Sequence, residues 1–300
     1  MLLGAATCHL KLFERLAEKS LAWDELKEAL DLAERPLVVL TTALRAMGML
    51  DKDPEGHFVP TPLALEHLPD KADFAVNNYL GLAADAPNVL DMVERLRTNK
   101  PAGANKEEGT AFIFKEGTES KMEEENEARR LTLSLAARAK NVAPHLAANY
   151  PLANANTLLD VAGGSGIYAI AYLRSHPDLR AIVLDRPEVL KVAEEFAEKH
   201  GVKDRLQLIE GDMFADSLPS CDVALLSNVL HDWDVPECET LVQRCADAVK
   251  VGGEVVIHDV FLNDDLDGPL PIALYSASSF SLTEARGSYT AALCYMTQQP

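Results

Sequence analysis

Asp160, three closely spaced glycines and Asp185 stand at a spacing that suits a nucleotide-bearing ligand. Asp160 lies near the end of the apolar run Leu158-Leu159-Asp160-Val161, and the small-residue turn Ala162-Gly163-Gly164-Ser165-Gly166 follows it. Asp185 closes a second apolar run, 19 residues after Gly166. Gly163, Gly164 and Gly166 let the backbone turn sharply and let a ligand lie against the main chain. An acid about 20 residues beyond such a turn can bond both hydroxyls of a ribose. Two cofactor classes use this arrangement. Gly164-Ser165-Gly166-Ile167-Tyr168-Ala169 fits the GxGxxA variant of the dinucleotide fingerprint, so the turn alone does not separate NAD from S-adenosylmethionine. Asp160 tips the balance. A carboxylate beside a pyrophosphate is repelled, whereas it suits a ligand carrying an ammonium and a sulfonium. A buried capping Asp with no ligand is the plain alternative.

Further along, Gly211-Asp212-Met213-Phe214 follows a third apolar run. Asp212 could accept the exocyclic amine of an adenine while Met213 packs on its face, although an Asp after Gly is common in ordinary turns. A fourth run continues into Ser227-Asn228-Val229-Leu230-His231-Asp232-Trp233. His231 therefore falls just past a strand tip. A lone histidine there is more often structural, but Asp259, near the tip of a fifth run, could hold its tautomer and raise its basicity.

The elements that must position these groups are an alternation of strands and helices. Strands are expected at 158–161, 180–185, 206–209, 223–226 and 254–260. Helices fall at 187–200 and 237–250, the latter closed by Gly252-Gly253. Such alternation makes an α/β, Rossmann-like, doubly wound parallel sheet, with ligands at the carboxyl ends of its strands. Residues 10–70 read as a winged helix-turn-helix. Leu10, Phe13, Leu16 and Ala17 mark a first apolar face, a short helix spans 24–30, and a third carries Leu37, Leu40, Leu44 and Met47 before Gly48. Met49-Leu50 and His57-Phe58-Val59 flank a turn-rich tip, giving a hairpin wing. One helical segment is expected over 73–96, a loop over 98–109 and a long polar helix over 119–148, with Glu125 pairing Arg129 at i,i+4. The Glu123-Glu124-Glu125 run reads as a solvated face, and Phe112-Ile113-Phe114 as core packing sooner than pocket lining.

Composition narrows the partners. The 300 residues are 48% hydrophobic and carry a formal charge of −19, which argues against a nucleic-acid surface. Residues 1–70 hold 7 Lys and Arg against 12 Asp and Glu, a net of −5, so the winged module suits dimerisation better than DNA. No apolar run is long enough to span a membrane. The start lacks the basic residues of a signal peptide. Five scattered cysteines fit reduced thiols in a cytoplasmic protein. Cys238 and Cys245 share a helix face as core residues. No CxxC or HxxxH pair occurs, so no metal is expected.

Taken together, Asp160 to Gly166, Gly211-Asp212-Met213-Phe214 and His231-Asp232-Trp233 resemble the S-adenosylmethionine-dependent O-methyltransferases of the caffeic-acid and hydroxyindole type, with their bacterial relatives. The resemblance covers nearly the whole chain. It implies a class I methyltransferase sheet after an N-terminal winged-helix dimerisation domain (1–98), a helical linker and substrate cap (99–150), and a cofactor-binding catalytic domain (151–300). It implies His231 as general base, assisted by Asp259. Asp160, Gly163, Gly164, Gly166, Asp185, Asp212, Met213, Phe214 and Ser227 would line the cofactor. The expected reaction is methyl transfer to a phenolic or enolic oxygen of a small, aromatic acceptor by a homodimer, with S-adenosylhomocysteine released. Decarboxylation or hydroxylation by a related protein, and a non-enzymatic winged-helix ligand sensor, are the alternatives. Two departures stand out. Ala162 replaces the first glycine of the family's turn, and Ser227 replaces a Lys of plant members. Residues 269–284 resemble the family's next helix, but the β-hairpin that completes its sheet is missing, so a truncated or shortened C-terminus is expected.

Overall fold

The computed structural model describes residues 1–99, 125–233, 235–280 and 289–290. They form two compact units. Residues up to 99 pack with those from 260 onward, and residues 125–259 make the other unit.

The first unit starts with α1 (Leu2–Gly4), a π-helical turn at Ala5–His9, α2 (Leu12–Glu18), α3 (Trp23–Leu30) and α4 (Glu34–Ala46). β1 (Leu50–Lys52) and β2 (Phe58–Pro60) pair antiparallel as the expected wing, Leu50 opposite Pro60. Then come α5 (Pro62–His67), α6 (Asn77–Gly81) and α7 (Pro87–Thr98). Leu12, Phe13, Leu26, Leu37, Leu40, Leu44, Leu50 and Phe58 form the core. Burying each such side chain stabilises the unit by about 1.5–3 kcal/mol. Two expectations fail here. The segment 73–96 is two helices, because Pro87 has no N–H to continue a helix and instead starts α7. Ala17 is exposed and Leu12 takes the inner position, since Lys11 has left-handed backbone and starts the helix later.

The second unit opens with α8 (Glu125–Asn149) and continues with β3 (Thr157–Val161), α9 (Ile167–Ser175), β4 (Arg180–Asp185), α10 (Pro187–Lys199), β5 (Leu206–Glu210), β6 (Cys221–Ser227), α11 (Val235–Ala248) and β7 (Val249–His258). All five strands are parallel, in the order β5-β4-β3-β6-β7. Leu158, Leu159, Val161, Val183, Leu184, Ala224, Leu225 and Leu226 are almost fully buried, as expected for strands covered on both faces. The chain winds outward from β3 through β4 to β5, then returns to β6 and runs the other way. A cleft therefore opens between the tips of β3 and β6, where such sheets bind ligands.

The expected start of the fifth strand is corrected. Lys250 lies in β7, not in the preceding helix, and β7 runs from Val249 to His258. Gly253 allows this: a Cβ there would sit 2.2 Å from the Asp222 carbonyl oxygen.

Helix α8 buries Ala128, Ala136, Ala139, Ala143 and Ala147 along one stripe, small side chains that bring it close to α9 and α10. That packing overrides the expected Glu125–Arg129 pair. Arg129 makes a bidentate pair with Glu195 of α10 at 2.6 and 3.0 Å, and Glu125 pairs with Lys191 at 3.0 Å. Residues 125–149 thus pack on α9 and α10 within the second unit.

Past residue 260 the chain supplies β8 (Phe261–Leu262), α12 (Leu270–Phe280) and β9 (Tyr289–Thr290) to the first unit. The Phe280 ring lies in that unit's core, with the guanidinium carbons of Arg35 and Arg95 each 4.8 Å from its centroid. Cys238 and Cys245 are buried, as expected of core thiols. Phe112-Ile113-Phe114, Glu123-Glu124, the 98–109 loop beyond Asn99 and residues 281–284 lie outside the described residues. No described helix is long and apolar enough to cross a membrane.

Candidate active site

The turn after β3 is tight. Ala162, Gly164 and Gly166 all have left-handed backbone, with φ of 53, 61 and 69°. For Ala162 that conformation costs about 1–2 kcal/mol, which accounts for the glycine usual at this position in the family that the motifs resemble. Gly163 faces a different constraint. A Cβ on it would lie 2.6 Å from the Asp160 carboxyl carbon, so only glycine lets the turn fold down over that acid.

Asp160 is 1% exposed. Its Oδ2 accepts the Ala169 N–H at 3.3 Å, while Oδ1 is buried without a hydrogen-bond partner. Burial, helped by the charge of Asp185 and opposed by the Ala169 N–H, pushes the carboxyl up to about 7. A buried, half-satisfied carboxylate is costly unless a cation or donor completes it. The site therefore fits a ligand with positive charge and not a pyrophosphate.

Asp185 at the tip of β4 accepts the Gly164 N–H at 2.8 Å on Oδ2 and the Arg186 N–H at 2.7 Å on Oδ1. Burial raises its pKa against these two bonds. Each carboxylate oxygen has a second acceptor position, enough for a pair of hydroxyls. Beyond β5, Asp212 is exposed, and its Oδ1 accepts the N–H groups of Phe214 and Ala215 at 2.7 and 3.3 Å. It shapes its own turn as well as offering an oxygen to solvent. Met213 is half-buried, and the Phe214 ring meets the edge of Trp233 with centroids 4.6 Å apart.

The tips of β6 and β7 are in register, Ser227 beside His258. The Ser227 hydroxyl lies 2.8 Å from His258 Nδ1. Asn228, in left-handed backbone, donates its amide to the Ser227 hydroxyl at 3.2 Å and to the Tyr168 hydroxyl at 3.1 Å. Arg138 of α8 donates to the Asn228 side-chain oxygen at 3.2 Å. Tyr168 stands in the first turn of α9, just after the glycine turn, so this bridge joins the β3 side of the cleft to the β6 side.

His231 sits on a 3₁₀ turn, Leu230–Asp232, and is 5% exposed. Its Nδ1 is 2.6 Å from Asp259 Oδ1. The other Asp259 oxygen accepts the backbone N–H groups of Leu230 and His231 at 3.1 and 3.4 Å. One carboxylate thus fixes both the ring and the turn beneath it. Nε2 lies 3.6 Å from Asp232 Oδ1. Burial alone pulls the imidazole pKa down. The Asp259 hydrogen bond and the charges of Asp232 and Asp259 outweigh it, so the net shift is upward. Burial pushes Asp232 up to about 6.

The glycine turn, Asp160 and Asp185 therefore come together at one end of the cleft, and His231 with Asp259 at the next strand tips. Arg138 reaches the tip of β6 and Arg244 the turn after β5, and neither had been singled out. Neither lies in a motif, and only the packing of α8 and α11 brings them in.

The sequence profile of the O-methyltransferase domain matches residues 93–292. A 3-hydroxy-5-methyl-1-naphthoate 3-O-methyltransferase of Streptomyces sahachiroi is 33% identical over 285 residues, spanning 94% of this chain and 79% of that protein. The crystal structure of an O-methyltransferase family 2 protein from Planctomyces limnophilus, in complex with apigenin, superposes with a TM-score of 0.86. It shares 44% identity, over 99% of this chain and 84% of that one. Human N-acetylserotonin methyltransferase in complex with SAM has a TM-score of 0.62 at 22% identity, over 99% and 86% of the two chains, a likeness of fold alone.

Proposed function

Because the chain belongs to the O-methyltransferase family, we propose that it transfers a methyl group from S-adenosylmethionine to a hydroxyl oxygen of a small aromatic acceptor, with His231 as general base. The observation that carries this reading is the buried His231–Asp259 pair, 2.6 Å apart, on the same sheet edge as the half-satisfied Asp160 carboxylate. Two relatives support the acceptor class: one is named for a hydroxynaphthoate, the other was crystallised with the flavone apigenin.

The cofactor, when bound, supplies an electrophilic methyl group on a sulfonium. Asp160 would answer its positive charge, Asp185 its ribose hydroxyls and Asp212 its adenine amine, with Met213 and Phe214 against the base. Ser227 leaves the position of the plant Lys without a cation. Arg138, reaching Asn228 beside it, would replace that charge for the carboxylate of the methionine part. His231, held by Asp259 at Nδ1, would take the acceptor proton at Nε2. An ordinary phenol has a pKa near 10 and a histidine near 6.5, a gap of about 5 kcal/mol. The proton therefore moves as the C–O bond forms and not before it. The raised pKa of His231 narrows that gap.

Incubation with S-adenosylmethionine and apigenin tests the reading. One S-adenosylhomocysteine is expected for each methylated product, identified by mass. A hydroxylated, unmethylated product formed without release of S-adenosylhomocysteine, or carbon dioxide released from a carboxylated aromatic acceptor with the cofactor unconsumed, would instead support the hydroxylase or decarboxylase alternative.

The N-terminal unit is proposed to dimerise. It exposes Phe74, Tyr79 and Leu82, each more than 60% accessible, an apolar surface suited to a second copy of the chain. A monomer in sedimentation at micromolar concentration would end that proposal.

A further inference from the structure

Arg244, two-thirds of the way along α11, has no role in the chemistry above, yet its guanidinium is spent on the backbone of the turn after β5. Nε donates to the Met213 carbonyl at 2.8 Å, and the terminal nitrogen donates to the Asp216 carbonyl. The same turn is closed from within. The Asp216 carboxylate accepts the Asp212 N–H at 2.8 Å, and Asp212 Oδ1 accepts the Phe214 N–H at 2.7 Å. Its outer flank rests on Trp233 through the Phe214 ring. Trp233 and Arg244 thus bracket residues 212–216 from one continuous segment, the one that begins with the His231 turn.

A guanidinium is a planar fork that can satisfy two carbonyls at once and cannot lose its proton, which a lysine ammonium matches only in part. We propose that Arg244 is a positioning residue for nucleobase recognition: by clamping the carbonyls of Met213 and Asp216 it sets the angle at which Asp212 and Met213 meet the adenine. The inference rests on the reading that residues 212–214 face the adenine. It adds that discrimination between nucleobases depends on a side chain of α11 that touches no ligand atom.

Binding of S-adenosylhomocysteine, and of its analogue carrying hypoxanthine in place of adenine, measured by calorimetry on the full chain, tests it. Hypoxanthine presents an oxo group where adenine presents the amine, so a correctly placed Asp212 rejects it. Arg244→Gln is expected to weaken S-adenosylhomocysteine about tenfold, the loss of one good interaction, and to bind the two nucleosides more nearly alike. Arg244→Lys should recover part of both effects. At saturating cofactor, kcat should change little, because His231 and Asp259 are held by other bonds. Should Arg244→Gln lower only Tm, or weaken both nucleosides equally, the clamp has no recognition role and the inference fails alone. Should the unaltered protein ignore S-adenosylhomocysteine, the reading beneath it fails as well.

Discussion

Replacing His231 with Ala lowers methyl transfer about 10²–10⁴-fold, the usual contribution of a positioned general base, while S-adenosylhomocysteine affinity stays within a few-fold. The separation follows from the site's geometry. His231 stands on the β6 side of the cleft, bonded to Asp259, whereas the acids assigned to the cofactor lie at the tips of β3, β4 and β5. Asp259→Asn sharpens the test. An Asn oxygen can still cap the N–H groups of Leu230 and His231, but its amide would then face Nδ1. The imidazole would have to accept there and carry its proton on Nε2, so it could no longer take one from the acceptor. A loss comparable to that of His231→Ala is expected, with the turn intact. The acid limb of the pH profile should lie above 6.5, because the net shift of His231 is upward. The stability gained from the charged pair has the matching sign. It is present below the ordinary histidine pKa and is lost as pH rises through the raised one. Unchanged turnover in His231→Ala would remove it from the role of base.

Affinity for S-adenosylhomocysteine, which keeps the ammonium, rises with pH up to about 7 and then levels off. In the free protein the Asp160 carboxyl holds its proton up to about 7, whereas in the unfolded chain it would release it near 3.9. Between those values the native state holds a proton that the unfolded chain has lost, so the ligand-free protein loses stability as pH rises. A cation seated against the unpartnered oxygen reverses the preference, and the ligand enters with release of that proton. Each pH unit below about 7 then lowers affinity by up to tenfold. Asp185, also shifted upward by burial, contributes with the same sign, so Asp160→Asn is the control that isolates Asp160. The variant should bind weakly and with a flatter pH dependence. Equal slopes in calorimetry across neutral pH would place the cation elsewhere.

Much of this arrangement is legible in the amino-acid order because its signals are local. An apolar run ending in Asp160 or Asp185, followed by small residues or a proline, announces a strand tip without reference to the rest of the chain. The wing around Asp53 to Gly56 is equally local. What escapes is whatever depends on a neighbour distant in sequence. Glu125 and Arg129 have ideal spacing for each other, yet both turn to α10, since Ala128 and Ala136 bring that helix within reach. Ala17 fits the apolar period and still faces solvent, because the left-handed Lys11 resets where α2 starts. Pro87 marks a break that the apolar pattern runs straight across. In the site, His231 and Asp259 pair because Ser227 and His258 are in register. Sequence alone puts them 28 residues apart, and only their places at neighbouring strand tips suggested the pair before the family resemblance did. Arg138 and Arg244, bonded to a side-chain amide and to carbonyls, leave no trace in any motif.

Phe280 completes the core of the first unit between Arg35 and Arg95, although well over half the chain separates it from the helices it joins. During synthesis, residues 125–259 emerge from the ribosome before it does. The sheet, whose strands need no residue beyond His258, is free to close on the nascent chain, against the usual tendency for the N-terminal part to finish first. The core of the helices made earliest is completed only when that ring arrives.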